Sequence, residues 1–380
     1  MALSGGGSRA MAFHLGCLRA LRSEGLLNQV STISAVSGGS VLAALYCSHP
    51  GDFDEFERVA RRIIGRGFVR PAVRAVFTTS EGLKALGSGM LTWLDRVAAL
   101  SAGLILKAVP RRFRPTPRWL KESQLRRSAS RTTVLQRVFD NILDGRTLVQ
   151  LRDDRPKLII VACDLMASSA FYFAKDGVGS WRRGVAAAGA VRVAEAVAAS
   201  AAYPVFLPTL ELSMTFTKKG GQKKQERVVL TDGGVYDNLG LAPLWPDRDP
   251  SVSLHVGSYD RLIVSRAGYS TSMSAAPALW GSRMYAVMNT MFSRSQNATM
   301  KRLFDLQKGG SLKSFILPYL GQADDQLANP PSDLVRAEDV ANYPTDFSAM
   351  PSDWIEKLSQ RGEQLTRSLI VEHWQPANRN

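Results

Sequence analysis

Cysteine is scarce in this 380-residue chain: Cys17, Cys47 and Cys163 each sit in an apolar stretch, and none belongs to a C-x-x-C pair. An odd count without ligand spacing excludes a disulfide framework and a zinc site, and reads as buried, reduced thiols in a cytosolic protein. Long hydrophobic runs are also missing. The longest, 97–106, spans about ten residues and contains Ser101 and Gly103, whereas a bilayer takes about 20. No positive region precedes an apolar run at the N-terminus, and His14 and Arg19 interrupt the only candidate leader. Acidic residues are under-represented: 33 against 48 Lys and Arg, a net charge of +15. Such a field attracts polyanions, either an anionic membrane surface or nucleic acid.

With 45% hydrophobic and 21% charged residues, the composition is globular, neither disordered nor collagen-like. A short strand at 1–3 runs into Ser4-Gly5-Gly6-Gly7, and Met11, Leu15, Leu18 and Leu21 mark a helix over 8–26. The β-branched run 30–36 predicts a strand, followed by Ser37-Gly38-Gly39 and a helix over 40–47. Further strands are expected at 157–163, 170–173, 226–230, 261–265 and 314–317, a helix at 193–202, and a hairpin tip at Gly220-Gly221. Strand–loop–helix alternation argues for an α/β fold, a mostly parallel sheet with helices on both faces. One domain over 1–380 is expected, with a helical insertion at 51–155 and a mainly helical part at 271–380. Between 107 and 131 nine basic residues face one acid, Glu122, with Phe113 and Trp119 interleaved. This stretch is the expected docking segment for an anionic surface, with 97–106 inserting shallowly beside it.

Three glycine-rich loops carry chemistry. Ala35-Val36-Ser37-Gly38-Gly39 places a serine at a sharp strand-to-helix turn, where its hydroxyl is exposed and small neighbours are needed. Ser34 falls inside the strand and Ser40 inside the helix, so neither presents its oxygen in that way. Gly5-Gly6-Gly7 precedes a helix, which suits a phosphate cradle, half of a dinucleotide fingerprint, or an oxyanion hole. Thr231-Asp232-Gly233-Gly234 puts a carboxylate at a strand end, the edge where parallel sheets build their sites.

In order and content these loops resemble the patatin-like phospholipase family: G-G-G-S-R, then A-V-S-G-G, then D-G-G. A-C-D-L at 162–165, A-A-S-A-A-Y-P-V-F at 198–206 and V-Y-D-N-L-G after the aspartate extend the resemblance over about 1–245. Ala35 departs from the usual glycine, and the nearly absent first strand puts the expected natural start upstream of Met1.

The resemblance implies a three-layer fold and a Ser37–Asp232 dyad without a catalytic histidine. It also implies an oxyanion hole from Gly5, Gly6, Gly7 and Gly38, supported by Arg9, Gly39, Gly233 and Gly234. Asp164 and the 203–206 stretch are expected to be structural, the latter core and turn. The implied activity is acyl-ester hydrolysis of a glycerophospholipid, with no metal or cofactor, by a cytoplasmic protein peripherally associated with membranes. A lysophospholipase or neutral-lipid esterase is the alternative within the fold, and a protein activator is a further open partner. A non-enzymatic nucleic-acid-binding protein would explain the charge, but not three ordered glycine loops around Ser and Asp.

Overall fold

The shortest strand lies in the middle of the parallel half of the sheet. In a computed structural model that describes residues 1–107, 130–204, 206–268 and 279–374, β1 (Ala2–Leu3) pairs in parallel with β2 (Thr32–Ala35) and β9 (Arg261–Ser265). β2 continues in parallel onto β3 (Lys157–Asp164), and β9 onto β10 (Ser314–Ile316). Beyond β3 the pairing turns antiparallel through β4 (Ser169–Ala174), β5 (Gly177–Ser180), β6 (Gly184–Ala186), β7 (Leu210–Thr217) and β8 (Lys223–Asp232). β8 then returns to the end of β3, so strands β3 to β8 close a ring.

The α/β class with a large central sheet therefore holds, but its parallel part is confined to β10-β9-β1-β2-β3. Antiparallel neighbours need only tight turns, not crossover helices. The run from β4 to β8 therefore carries just one helix to announce it, and β5 and β6 hold a single β-branched residue each. The Gly220-Gly221 tip was legible, and it joins β7 to β8.

Successive strand residues face opposite layers. Leu3, Ile160, Ala162 and Ile263 enter a large core with α1 (Gly7–Ser23), α2 (Gly38–Ser48), α7 (Val193–Ser200) and α11 (Ser352–His373). Ala2, Leu262 and Val264 point the other way, into a core shared with α9 (Trp280–Lys308) and the chain after α8 (Gly234–Asp237). Helices thus cover both faces. α3 (Phe53–Arg66) starts where Asp52 accepts the Glu55 N–H, and it buries Phe53, Phe56, Ala60 and Ile64 on one stripe. α4 (Val69–Thr78), α5 (Ser80–Lys107) and α6 (Arg131–Ile142) follow α3 among the described residues. Most of the basic segment 107–131, namely 108–129, lies outside the described residues. Among those described, no helix is long and apolar enough to cross a membrane.

All three cysteines are buried and unpaired. Burial pushes the Cys17 and Cys163 thiols up to about 11 and Cys47 to about 12.

One cation ties the late chain together. Past α10 (Ala337–Val340), the fully buried Arg361 of α11 donates to the carbonyls of Leu320 (3.0 Å), Gln322 (2.6 Å) and Val335 (2.6 Å) and to Asp324 (2.8 Å). Arg361→Leu strands all four acceptors and should cost about 3–5 kcal/mol, by analogy with a broken buried pair, read as a shift in the urea midpoint. A shift below about 1 kcal/mol would mean that other contacts hold 320–335.

Candidate active site

β2 ends at Ala35, and two residues later the backbone of Ser37 turns to φ 50° and ψ −123° as the N-cap of α2. A non-glycine residue there carries about 1–3 kcal/mol of strain and persists only where its surroundings hold it. They do so by a short relay: the Ser37 N–H donates to Ser200 Oγ (2.9 Å), and the Ser200 hydroxyl donates to the Val161 carbonyl of β3 (2.7 Å). On the other side, the Ser40 hydroxyl donates to the Ser37 carbonyl at 2.6 Å. Ser34 is buried in β2, as expected.

Asp232 arrives on β8, which pairs with the same β3 that β2 flanks. Ala35 of β2 pairs with Ile160, and Asp232 of β8 pairs with Ala162 two residues further on, so β8 takes over the flank of β3 where β2 leaves it. The carboxylate is almost completely buried; its Oδ1 accepts the Gly234 N–H at 2.7 Å, and the Ser37 side chain is near enough to favour its charged form. Burial outweighs both influences and pushes its pKa up to about 6.

The first glycine loop lies against both. The backbones of Gly7 and Gly38 touch, and a Cβ on Gly38 would overlap the Gly7 main chain, so a larger residue there would part the two loops. Among the described residues, the Gly6, Gly7 and Gly38 amides have no hydrogen-bond acceptor. The Gly5 amide, expected among the oxyanion donors, is instead given to the Asn238 carbonyl at 3.1 Å, which removes it from that set. Gly5 keeps a place beside the Ser37 side chain. Gly39 packs on the Leu3 and Ser4 carbonyls, and Gly233 on that of Val161.

The convergence of the three loops agrees with a comparison of families, in which residues 1–245 match the model described as patatin-like phospholipase. The chain belongs to the patatin-like phospholipase family. Among solved structures it is similar to human GIVD cytosolic phospholipase A2, at TM-score 0.54 and 14% identity over 97% of this chain and 58% of that one. VipD from Legionella pneumophila is matched at TM-score 0.39 and 13% identity, over 97% of this chain and 66% of that one. The chain thus spans less than two thirds of the human enzyme's structure and about two thirds of VipD. Comparison with curated protein sequences finds no match.

Around this patatin-like centre, several further contacts brace the loops. Asn238 wedges its side chain between Gly5 and Gly234. The Asp346 carbonyl accepts the Ser8 N–H at 2.7 Å, and Arg9 braces the loop by donating to the carbonyls of Ala267 (3.0 Å) and Tyr343 (2.9 Å). His14 bridges Ser265 Oγ (2.6 Å) and the Ser4 carbonyl (2.9 Å); burial lowers its pKa to about 4, so it is neutral at pH 7. His49 faces Glu55, His255 faces Asp176, and His373 faces Glu372, so these histidines serve other contacts than the dyad. Asp164 is structural, held by Arg183 at 2.8 Å and the Met166 N–H at 2.9 Å.

The 203–206 stretch is the expected turn, with the Phe206 N–H donating to the Tyr203 carbonyl at 3.1 Å, but it is not core. Burial first, then the neighbouring Tyr285 and Asp232, push the Tyr203 phenol up to about 12, which sets Tyr203 between the dyad and α9. Phe206 leans on Tyr203 but is 61% exposed; Val205 lies outside the described residues. Tyr236, four residues after Asp232, and Trp280 and Met284 of α9 are also exposed.

Ser200→Ala leaves the Ser37 amide and the Val161 carbonyl unpaired in a dry site. It should cost about 1–3 kcal/mol in urea unfolding. No loss would mean that the pairing of β1 and β2 alone holds the turn.

Proposed function

We propose that the protein hydrolyses lipid acyl esters, with Ser37 as nucleophile and Asp232 as general base. The observation that carries this reading is the side chain of the strained Ser37 beside the buried Asp232 carboxylate, next to backbone amides without acceptors. Ser37 Oγ attacks the ester carbonyl carbon while Asp232 takes the hydroxyl proton. The oxyanion sits on the amides of Gly38 and of Gly6 or Gly7, each worth about 3 kcal/mol in the transition state. The C–O bond then breaks, Asp232 returns its proton to the departing lysophospholipid alkoxide, and an acyl-Ser37 ester remains. Water attacks that ester with Asp232 again as base, fatty acid leaves, and the proton goes back to Ser37 Oγ.

Burial is what makes an aspartate serve here. An ordinary carboxyl with pKa near 3.9 is a poor base for a serine, and raising it to about 6 improves the match while leaving it ionised at neutral pH. The exposed Phe206, Tyr236 and Trp280 suit an amphiphilic substrate and peripheral attachment to a membrane. The dyad chemistry is the same for a phospholipid, a lysophospholipid or a neutral ester. An activator protein would act on access to this site rather than on its bonds. A basic protein that only bound nucleic acid would leave the strained Ser37 and buried Asp232 without a use.

On a short-chain chromogenic ester, Ser37→Ala and Asp232→Asn should each lose about 10³-fold or more in kcat with the folded state retained. Activity surviving in Ser37→Ala would refute the nucleophile. For pH, Asp232 is protonated below about 6 and cannot accept a proton there. The rate should therefore rise tenfold per pH unit below that value and level off above it, and a flat profile from about pH 4 to 8 would exclude Asp232 as base. The sign for stability is opposite: a carboxyl with a raised folded pKa gives its full contribution at low pH and loses it as pH rises through about 6.

A further inference from the structure

α3, α4 and α6 enclose a cavity of about 380 Å³ lined by Arg66, Arg74 and Arg137, with Thr78 and Asn141 among them and no carboxylate. Among the described residues, none of these three guanidinium groups has an ion-pair partner. Their neighbours are engaged: Arg61 of α3 pairs with Glu57 and Glu356, and Asp140 of α6 is held by Arg192. Arg66, Arg74 and Arg137 are solvent-exposed and line one concavity without a counter-charge, so the lining favours an anion. Guanidinium forks match phosphate oxygens bidentately, and a phosphomonoester brings about −1.5 to −2 charges at neutral pH.

The other side of α4 narrows the class of ligand. The helix contains no acid, and its Val69, Val73 and Phe77, four residues apart, form an exposed ridge beside the strip of Arg74 and Thr78, with Phe77 73% exposed. α5 continues the apolar surface with Leu83, Leu86 and Met90. A soluble phosphate or a nucleic acid has no use for such a ridge, whereas a lipid surface supplies both a phosphate and an apolar boundary for it. We propose that this cavity receives the phosphomonoester head group of an anionic lipid while the Val69-Val73-Phe77 ridge enters the adjoining acyl layer. This docking site shares no lining residue with the dyad, and because binding needs no turnover it stands or falls apart from the hydrolase reading.

The test is sedimentation of the full chain with phosphatidylcholine vesicles that carry phosphatidate, or phosphatidylserine at matched surface charge. Wild type should prefer phosphatidate. Arg66→Gln, Arg74→Gln and Arg137→Gln combined should bind phosphatidate vesicles about a hundredfold more weakly, at about fivefold per arginine. The three Arg→Lys changes should keep attraction to both vesicles and lose the preference. Phe77→Ser should weaken vesicle binding but not the binding of glycerol 3-phosphate followed by calorimetry. Thermal unfolding checks the fold of every variant, and unchanged hydrolysis of a soluble ester checks the dyad. Undiminished vesicle binding by the triple glutamine variant overturns the site, as does equal binding to the two anionic vesicles. Glycerol 3-phosphate binding as tight as vesicle binding, with Phe77→Ser silent, would reassign the cavity to soluble phosphates. A wild type that binds phosphatidate vesicles but cleaves no ester would sink the hydrolase reading and leave the docking site standing.

Discussion

Everything at the centre of this molecule hangs on one shared strand. β3 is the last member of the parallel half-sheet and the first of the antiparallel ring, and it has more length than β2 can cover. Where β2 turns off at Ala35, the next stretch of β3 backbone still needs hydrogen-bond partners, because a buried strand edge without them is costly. β8 fills that gap antiparallel, and its last residue is Asp232. Ser37 and Asp232 therefore meet because two strands succeed each other along one edge. The Val161 carbonyl, which anchors Ser200 and so the Ser37 amide, belongs to β3 as well.

Two unfavourable states are held there together. Ser37 has a backbone conformation that side chains rarely adopt, and Asp232 is a carboxyl taken out of water. Each alone would relax, one by unwinding the turn and the other by admitting solvent. The surrounding contacts prevent both: Gly7 against Gly38, Asn238 between two glycine loops, and Arg9 on two carbonyls. Rigidity of this kind is what an oxyanion site requires, since its donors must be aimed before the charge appears.

How much of this was legible from residues alone follows a physical line. The loops at Gly5, Ser37 and Asp232 were legible because close backbone approach and a sharp turn restrict residue type so strongly that they leave a pattern. β2, β3 and β9 were legible as β-branched runs. β5, β6 and β7 were not: the first two are short and glycine-bearing, and β7 is a half-exposed strand with polar alternation. Asp346 escaped notice because it acts through one bond from a position that no local pattern marks, while Ser200 and Asn238 lie in stretches that carry the family resemblance but whose contacts the residues alone do not disclose. The misassigned Gly5 donor has the same root, since the direction of a peptide plane depends on a partner over two hundred residues away. The 203–206 stretch read as core because aromatic composition does not say which side of a turn meets solvent.

The braces of the first glycine loop come from the far end of the chain: Arg9 and Tyr343 are separated by 334 residues, and α11 covers α1. Contacts of such separation are among the last to form, since closing a long loop costs entropy before any contact rewards it. A chain emerging from the ribosome exposes its α1 surface and an unsupported glycine loop until the tail is made. Competence at the serine thus waits on residues more than three hundred positions downstream, and a half-folded molecule lacks the support that its first loop takes from Tyr343, Asp346 and α11.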